Sequence, residues 1–186
     1  MTDAAVPAPR SRANDEHDLG PVSATPALMV ERFLDFADVS SSDLVFDLGC
    51  GDGRVCVAAS ELRRARSVGA EIDPKALASA RANVERANTK IGSALAEIRA
   101  TSAFDVDASE ATVVFSYLLP KGNARLGEKL LRECAPGTRV VTYVFKMPDE
   151  EWGERLVKSE AFSSTRERKS GGVDASAYNK LYLYVV

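Results

Sequence analysis

Short hydrophobic runs alternate along the chain with longer stretches whose apolar residues recur every three or four positions. The short runs predict buried strands, and the longer stretches predict amphipathic helices. The predicted strands are DLVFDL, RSVGAEI, residues 95–100, ATVVFSYLLP and TRVVTYVFKM. The predicted helices are TPALMVERFLDFADV, GRVCVAASELRRA, DPKALASARANVERAN and KGNARLGEKLLRECAPG. Strands that alternate with helices favour a parallel sheet covered on both faces.

The end of the chain departs from this alternation. Two strand candidates, ERLVKSEAF and KLYLYVV, are separated by a polar segment, which predicts a hairpin and a late antiparallel strand. The predicted fold is therefore α/β: a Rossmann-like, doubly wound, mostly parallel seven-strand sheet with helices on both faces. Residues 1–20 are polar and lack periodicity, so they are predicted to be a flexible leader before one domain, residues 21–186.

Two helix starts carry a capping residue followed by proline. Thr25 and Asp73 are the predicted N-caps, and Pro26 and Pro74 the first helical residues. After Pro26, one apolar face is predicted from Met29, Val30, Phe33 and Leu34.

Composition excludes several classes of function. The net charge is -3, with a pI of about 5.3 and no obvious basic face, which disfavours nucleic-acid binding. Three cysteines without CxxC spacing and a single histidine, His17, predict neither a disulfide framework nor a metal site. No apolar run reaches the roughly 18 residues of a membrane-spanning helix, and the leader lacks the apolar core of a signal peptide. The expected location is the cytoplasm, or the mitochondrion if the source is eukaryotic.

The most informative stretch is LVFDLGCGDGRV, in which Gly49, Gly51 and Gly53 follow the first strand at alternate positions. In a doubly wound sheet, ligands bind at the carboxyl ends of the strands. Glycines there permit positive φ and let a ligand approach the backbone. A tight turn without a ligand needs only one glycine, so three favour a binding site.

Two ligand classes compete for this motif. A dinucleotide-binding loop has the spacing G-x-G-x-x-G, whereas here the third glycine is Gly53 and Arg54 follows it. The spacing G-x-G-x-G after an acidic residue is the pattern of S-adenosylmethionine (SAM) methyltransferases. SAM has no pyrophosphate to place at a helix N-terminus. Its sulfonium and ammonium groups favour a nearby carboxylate such as Asp47.

Glu71 ends the second predicted strand, 18 residues after Gly53. An acidic residue at about this separation accepts hydrogen bonds from ribose hydroxyls. This favours a nucleoside ligand without separating SAM from a dinucleotide.

These motifs resemble those of the class I SAM-dependent methyltransferases. The chain is most similar to the protein-lysine methyltransferases that act on ATP synthase c-subunit and the adenine nucleotide translocase, and to their bacterial relatives. The resemblance covers residues 21–147 and rests on VSATPALMVERFL, VFDLGCGDGRV, VGAEIDPKALASAR, ATVVFSYLLPKGN and PGTRVVTYVF. It implies SAM as cofactor and a lysine-bearing protein as partner, with no nucleic acid and no metal.

The resemblance also implies roles for individual residues. Thr25 matches a position near the cofactor carboxylate, Glu71 the ribose site, and Ser102 the adenine site, where relatives carry an acidic residue. The cofactor-binding set is Thr25, Asp47, Gly49, Cys50, Gly51, Asp52, Gly53, Glu71, Ile72 and Ser102. The residues of the catalytic mouth are Tyr117, Leu118 and Pro120, beside Leu119, although Tyr117 is also compatible with an ordinary core aromatic.

A lysine acceptor must lose a proton before methylation, which costs roughly 4–5 kcal/mol at pH 7. An apolar mouth lowers that cost because it disfavours the ammonium form. The acidic run PDEEWGE could attract a basic segment with Trp152 as an anchor, or be a plain solvated loop. Three alternatives stay open: a small-molecule methyltransferase, a Rossmann oxidoreductase, and a non-catalytic SAM-binding module.

Overall fold

The computed structural model describes residues 25–161 and 180–186, so the leader predicted for residues 1–20 lies outside the described residues. The helices are α1 (Ala27–Phe36), α2 (Arg54–Arg63), α3 (Pro74–Ile91), α4 (Pro120–Glu133) and α5 (Asp149–Trp152), which a 3-10 turn (Gly153–Arg155) follows. The strands are β1 (Leu44–Leu48), β2 (Arg66–Glu71), β3 (Ala96–Ala100), β4 (Val113–Ser116), β5 (Arg139–Tyr143), β6 (Leu156–Ala161) and β7 (Lys180–Val185).

The seven strands form one sheet in the order β3-β2-β1-β4-β5-β7-β6. Strands β1 to β5 are parallel, and β7 runs antiparallel to both β5 and β6. The predicted fold class, including the late antiparallel strand and the pairing of the last two strands, is confirmed. The chain winds outward from β1 to β3 and then returns to β4 on the other side of β1. The carboxyl ends of β1 and β4 therefore flank the crevice in which such sheets bind ligands.

Alternate residues of each central strand contribute to two hydrophobic cores on opposite faces of the sheet. In β1, Phe46 packs in the core that α4 and α5 cover, and Val45 in the core that α1 and α2 cover. The apolar face predicted for α1 is buried in the second core, with Phe33 stacked on Phe115 at 5.5 Å between ring centroids. Helices cover both faces of the sheet, which leaves the carboxyl ends of the parallel strands for a ligand. We call this end of the sheet its upper edge.

Three predicted element ends are wrong. Thr25 does not cap α1, since the residue at the N-cap position is Pro26 and makes no side-chain cap bond. Strand β4 ends at Ser116, and Pro120 begins α4 instead of ending the strand. Strand β5 ends at Tyr143. The hydrophobic pattern runs past both strands, because the connections that follow them are also largely apolar.

The predicted start of α3 is confirmed. The Asp73 carboxylate accepts hydrogen bonds from the N–H groups of Lys75 and Ala76, and Pro74 is the first helical residue. This cap fixes the point at which the chain leaves β2, immediately after Glu71.

Candidate functional site

Residues 49–53, here called the glycine bend, connect β1 to α2. Gly49, Gly51 and Gly53 have φ of 88°, 57° and 76°, which confirms that the motif supplies left-handed backbone positions. A Cβ at Gly53 would lie 3.3 Å from Ala80 of α3, whereas one at Gly51 would meet nothing within 4 Å. The bend is therefore open above Gly51 and closely packed at its junction with α2.

The carboxylate of Glu71 fixes the shape of this bend. One oxygen accepts a hydrogen bond from the Gly51 N–H at 2.9 Å, and the other accepts from the N–H groups of Ile72 and Asp73 at 2.8 Å. The apolar side chain of Ile72, directly after Glu71, is 43% exposed. The ends of β1 and β2 are thus joined through one side chain.

Asp47 is the buried acid of the site. It precedes the last residue of β1 and is 8% exposed. Burial, together with the nearby carboxylates of Glu71 and Asp52, raises the pKa of Asp47 to about 7. A buried carboxyl group beside two other acids favours a cationic ligand, because a cation stabilises the ionised form.

Asp52 connects the glycine bend to the start of α1 through Arg54. The guanidinium of Arg54 donates to both carboxylate oxygens of Asp52, at 2.6 and 2.8 Å, and to the Thr25 carbonyl at 2.6 Å. The hydrogen bond from Arg54 lowers the pKa of Asp52. Asn83 of α3 donates to the Asp52 carbonyl at 2.9 Å. Thr25, which is distant in sequence, is therefore held beside the bend.

Cys50 and Ser102 are both buried at this edge. The Cys50 N–H donates to the Ala70 carbonyl at 3.0 Å, and its thiol packs so closely on β2 that a Cβ at Gly69 would lie 2.7 Å from the sulfur. Ser102 follows β3, and its hydroxyl accepts a hydrogen bond from the Phe104 N–H at 3.2 Å. Cys50 thus contributes packing within the bend, and Ser102 stabilises a local turn.

Residues 117–120, the YLLP motif, connect β4 to α4. The half-buried ring of Tyr117 lies edge-to-face against Tyr143 of β5, with 4.8 Å between ring centroids. Leu118 is 4% exposed and packs in the core, whereas Leu119 is 41% exposed. Tyr117 and Leu119 are therefore the members of the motif that stay partly or largely exposed after the end of β4, and Pro120 begins the helix.

Residues 143–147, here called the β5 turn, contain a strained backbone position that the sequence pattern does not predict. Val144 has φ of 67°, and the Phe145 N–H donates to the Tyr143 carbonyl at 2.8 Å. This is a γ-turn with positive φ, which is rare for any residue and an outlier for a β-branched one. Such a conformation costs about 1–3 kcal/mol and persists only where the surroundings enforce it.

Asn123 of α4 is one source of that enforcement. It is 0% exposed, its amide donates to the carbonyls of Phe145 and Lys146 at 3.1 and 3.2 Å, and its oxygen accepts from the Ser116 hydroxyl at 3.2 Å. Asn123 was missed from the sequence. The available signal was its position three residues before Leu126 on the buried face of α4, where a polar residue needs a buried partner.

The acidic run lies in α5, directly after the β5 turn. Asp149, Glu150 and Glu151 are exposed. Trp152 is 1% exposed and packs edge-to-face on Tyr184 at 5.6 Å, so the suggestion that it anchors a partner is wrong. The attraction of a basic segment by these three acids and Glu154 stays a prediction.

Within the described ranges, no group of three or more His, Cys, Asp or Glu side chains is arranged to hold a metal ion. No helix in the described part of the chain has the length and apolar character needed to cross a membrane.

Comparisons with known proteins agree on the type of enzyme. The model of the ANTKMT methyltransferase domain matches residues 47–153, more than half of the 186 residues. A protein-lysine N-methyltransferase of Saccharolobus islandicus (strain REY15A) is 38% identical over 168 residues, which cover 89% of this chain and 93% of that protein. A ribosomal protein L11 methyltransferase of Cupriavidus metallidurans is 34% identical over 105 residues, but only 32% of its length is covered.

Solved structures extend this agreement to the fold. An RNA methyltransferase from Salinibacter ruber, solved with S-adenosyl-L-homocysteine (SAH), is 36% identical with a TM-score of 0.69, covering 88% of this chain and 93% of that one. TrmN from Thermus thermophilus, 14% identical with a TM-score of 0.64, supports the fold alone. The matched segment contains the glycine bend, Glu71, the YLLP motif and the β5 turn. The chain belongs to the ANTKMT methyltransferase family and is a SAM-dependent methyltransferase.

Proposed function

We propose that the protein transfers methyl groups from SAM to lysine side chains of a protein substrate. The observation that carries the proposal is a cation-favouring, buried Asp47 beneath a bend with little side-chain bulk, next to an aromatic and apolar mouth at the end of β4. The 38% identical protein-lysine N-methyltransferase supports the same acceptor.

In the cofactor half, Asp47 would face the positively charged methionine part of SAM, whose backbone neighbours are the three glycines of the bend. The Glu71 oxygen that binds the Gly51 N–H keeps acceptor capacity and would accept from a ribose hydroxyl, whereas the other oxygen already accepts from two backbone N–H groups. The exposed side chain of Ile72 offers an apolar surface to the nucleoside. Ser102 would lie beside the adenine ring of the cofactor. Three further members of the predicted set act through the backbone or packing of the bend: Thr25, Cys50 and Asp52.

In the acceptor half, Tyr117 and Leu119 would form the mouth through which the lysine reaches the methyl group. Leu118 supports them from the core, and Pro120 fixes the direction in which α4 leaves. An apolar mouth disfavours the ammonium, which helps to meet the roughly 4–5 kcal/mol needed to deprotonate lysine at pH 7. In-line transfer needs no covalent intermediate on the enzyme, so positioning is the main source of acceleration, worth about 7–11 kcal/mol at best.

RNA is the second candidate acceptor, because the 36% identical structure from Salinibacter ruber is that of an RNA methyltransferase. Charge favours the protein acceptor. The chain has a net charge of -3, and the exposed acids of α5 stand directly after the β5 turn. The neighbouring Lys146 is paired with Asp149 at 3.3 Å. The negatively charged phosphodiester backbone of RNA would be repelled by such a surface, whereas a lysine-rich segment would be attracted.

Incubation with methyl-labelled SAM and, separately, protein extract and total RNA separates the two acceptors. We expect label in protein that protease but not ribonuclease releases, with the modified lysine identified by mass spectrometry. Tyr117→Ala should reduce turnover at least tenfold, and Tyr117→Phe less, because the ring is retained. Label confined to RNA would overturn the lysine assignment while keeping the methyltransferase.

A further inference from the structure

The β5 turn is fixed by hydrogen bonds to two other elements, β7 and α4. The Val144 N–H donates to the Lys180 carbonyl of β7 at 2.8 Å, and the Met147 N–H donates to the Tyr184 hydroxyl at 3.1 Å. Asn123 of α4 binds the two carbonyls that lie between these positions. The turn is therefore held from both sides along its whole length.

We infer that Asn123 is a positioning residue for methyl transfer, which keeps the β5 turn in its left-handed conformation and thereby sets the acceptor side of the crevice. The inference rests on the proposed function, since it assigns the β5 turn to the acceptor. No contact between Asn123 and either reactant is required.

The strained residue transmits this effect to the mouth. Val144 packs against the core cluster that also contains Tyr143, and the half-buried Tyr117 packs on the same cluster. The rings of Tyr117 and Tyr143 are themselves in edge-to-face contact. If Val144 relaxed to negative φ, the backbone of the preceding Tyr143 would shift, and the ring of Tyr117, which packs on the Tyr143 ring, would lose part of its support.

Asn123 is suited to hold the turn because its amide is fully engaged. The hydroxyl of Ser116, the last residue of β4, donates to the amide oxygen and so orients the NH₂ group towards the Phe145 and Lys146 carbonyls. One buried side chain therefore connects the ends of β4 and β5. A small displacement between these ends changes the angle of in-line attack, to which transfer rates are sensitive.

The cofactor half has separate supports. The glycine bend is held by Glu71 and by the Ala70 carbonyl, neither of which contacts the β5 turn through any hydrogen bond described for them. Loss of the Asn123 amide should therefore impair turnover and leave cofactor binding intact. A merely structural role would instead lower stability and affect both halves alike.

The test compares Asn123→Ala with Thr138→Val, a control at the opposite end of β5. Thr138 is also buried, and its hydroxyl donates to the Ala111 carbonyl at 3.0 Å. We expect Asn123→Ala to lower kcat at least tenfold, with SAH affinity by calorimetry and the KM for SAM within twofold of wild type. Thr138→Val should keep the wild-type kcat, although its melting temperature should fall.

A second variant tests whether the left-handed turn is the quantity that Asn123 controls. Glycine adopts positive φ without strain. The double variant Asn123→Ala, Val144→Gly should therefore have a kcat at least threefold higher than that of Asn123→Ala alone. The milder Ser116→Ala, which removes only the bond that orients the Asn123 amide, should give an intermediate loss. It keeps the test available if Asn123→Ala does not fold.

Amide hydrogen exchange gives a readout that needs no acceptor. Asn123→Ala should speed exchange at Val144, Phe145 and Met147, and leave exchange at Gly51 unchanged. An unchanged kcat in both Asn123→Ala and Ser116→Ala, or equal losses of kcat and SAH affinity, would overturn the inference. If wild-type protein methylates RNA and not lysine, the proposed acceptor fails, and the same kcat comparison then tests the inference with RNA.

Discussion

The upper edge of the sheet contains two left-handed bends that are built in opposite ways. After β1, the positive φ values belong to Gly49, Gly51 and Gly53, residues that adopt them without strain. After β5, the positive φ belongs to Val144, a β-branched residue for which this conformation is strained. The first bend is permitted by its own composition, whereas the second is enforced by hydrogen bonds from α4 and β7.

The difference teaches how the two halves of the crevice acquire rigidity. The glycine bend has no side chain at Gly49, Gly51 and Gly53 and is open above Gly51, so a ligand can lie on the backbone there. The β5 turn keeps its side chains, and its shape depends on residues far away in sequence. Substitutions in the first region should therefore affect cofactor affinity, and substitutions around the second should affect turnover.

The largest effect is expected from Asp47→Asn in the cofactor half. Loss of the carboxylate that we propose to face the cationic part of SAM should weaken SAM binding by about 100-fold, near 2.7 kcal/mol. Calorimetric titration of SAM measures this. Asp35→Asn, at an exposed acid that pairs with Arg63, is the control and should leave the affinity unchanged. Equal affinities in all three proteins would remove Asp47 from the cofactor site.

Gly51→Val should lower the free energy of unfolding by about 2 kcal/mol. A Cβ at Gly51 meets no atom within 4 Å, so the main expected cost is that of positive φ. Gly92→Val is the matched control, because Gly92 has φ of 65°, open surroundings and a place at the end of α3. Chemical denaturation should give similar losses for both, while only Gly51→Val should also reduce SAH affinity. If both variants kept wild-type affinity, the bend would not contact the cofactor.

The affinity of the protein for SAM should be about tenfold lower at pH 6 than at pH 8. The pKa of Asp47 is raised to about 7, so its carboxyl group is mostly ionised at pH 8 and mostly protonated at pH 6. Affinity for the cation should therefore fall as the pH falls, and Asp47→Asn should abolish this dependence. The same raised pKa means that the free enzyme loses stability as the pH rises from about 4 to 7. Denaturation of the free enzyme over this range should show a flatter profile for Asp47→Asn.

The smallest effect is expected from Val144→Gly alone. Relief of backbone strain should offset the lost packing and the added flexibility of glycine, so the free energy of unfolding should change by less than about 1 kcal/mol. Val141→Gly, in the middle of β5 and fully buried, should cost about 3 kcal/mol or more. Comparable losses in the two variants would mean that Val144 is not strained, and the contrast between the two bends would disappear.

The glycine bend was predictable because its conformation is encoded in residue types. Three alternate glycines, with Asp47 before them and Glu71 at the end of β2, indicate the ligand, the edge and the left-handed backbone together. The resemblance to the lysine methyltransferases added the YLLP motif. The parallel pairing of β1 to β5 followed from the alternation of strands with helices, whereas their order in the sheet was not predicted.

The β5 turn was not predictable, because nothing in TRVVTYVFKM distinguishes Val144 from the strand residues before it. Its φ depends on contacts with α4 and β7, more than 20 residues away in each direction. The same cause explains why β4 was predicted to be too long. Tyr117 and Leu118 continue the apolar pattern after the strand has stopped pairing with its neighbours in the sheet. Trp152 was misjudged because its acidic neighbours suggest a surface, while its own ring is buried under Tyr184.

The position of β7 has a consequence for the order of assembly. This strand follows every other strand along the chain, yet it is inserted between β5 and β6. During synthesis, β1, β2 and β3, with Asp47, the glycines and Glu71, leave the ribosome long before Lys180 and Tyr184 are made. The proposed nucleoside-binding part can therefore form early, and the β5 turn, which we propose to be on the acceptor side, is completed only when β7 joins the sheet.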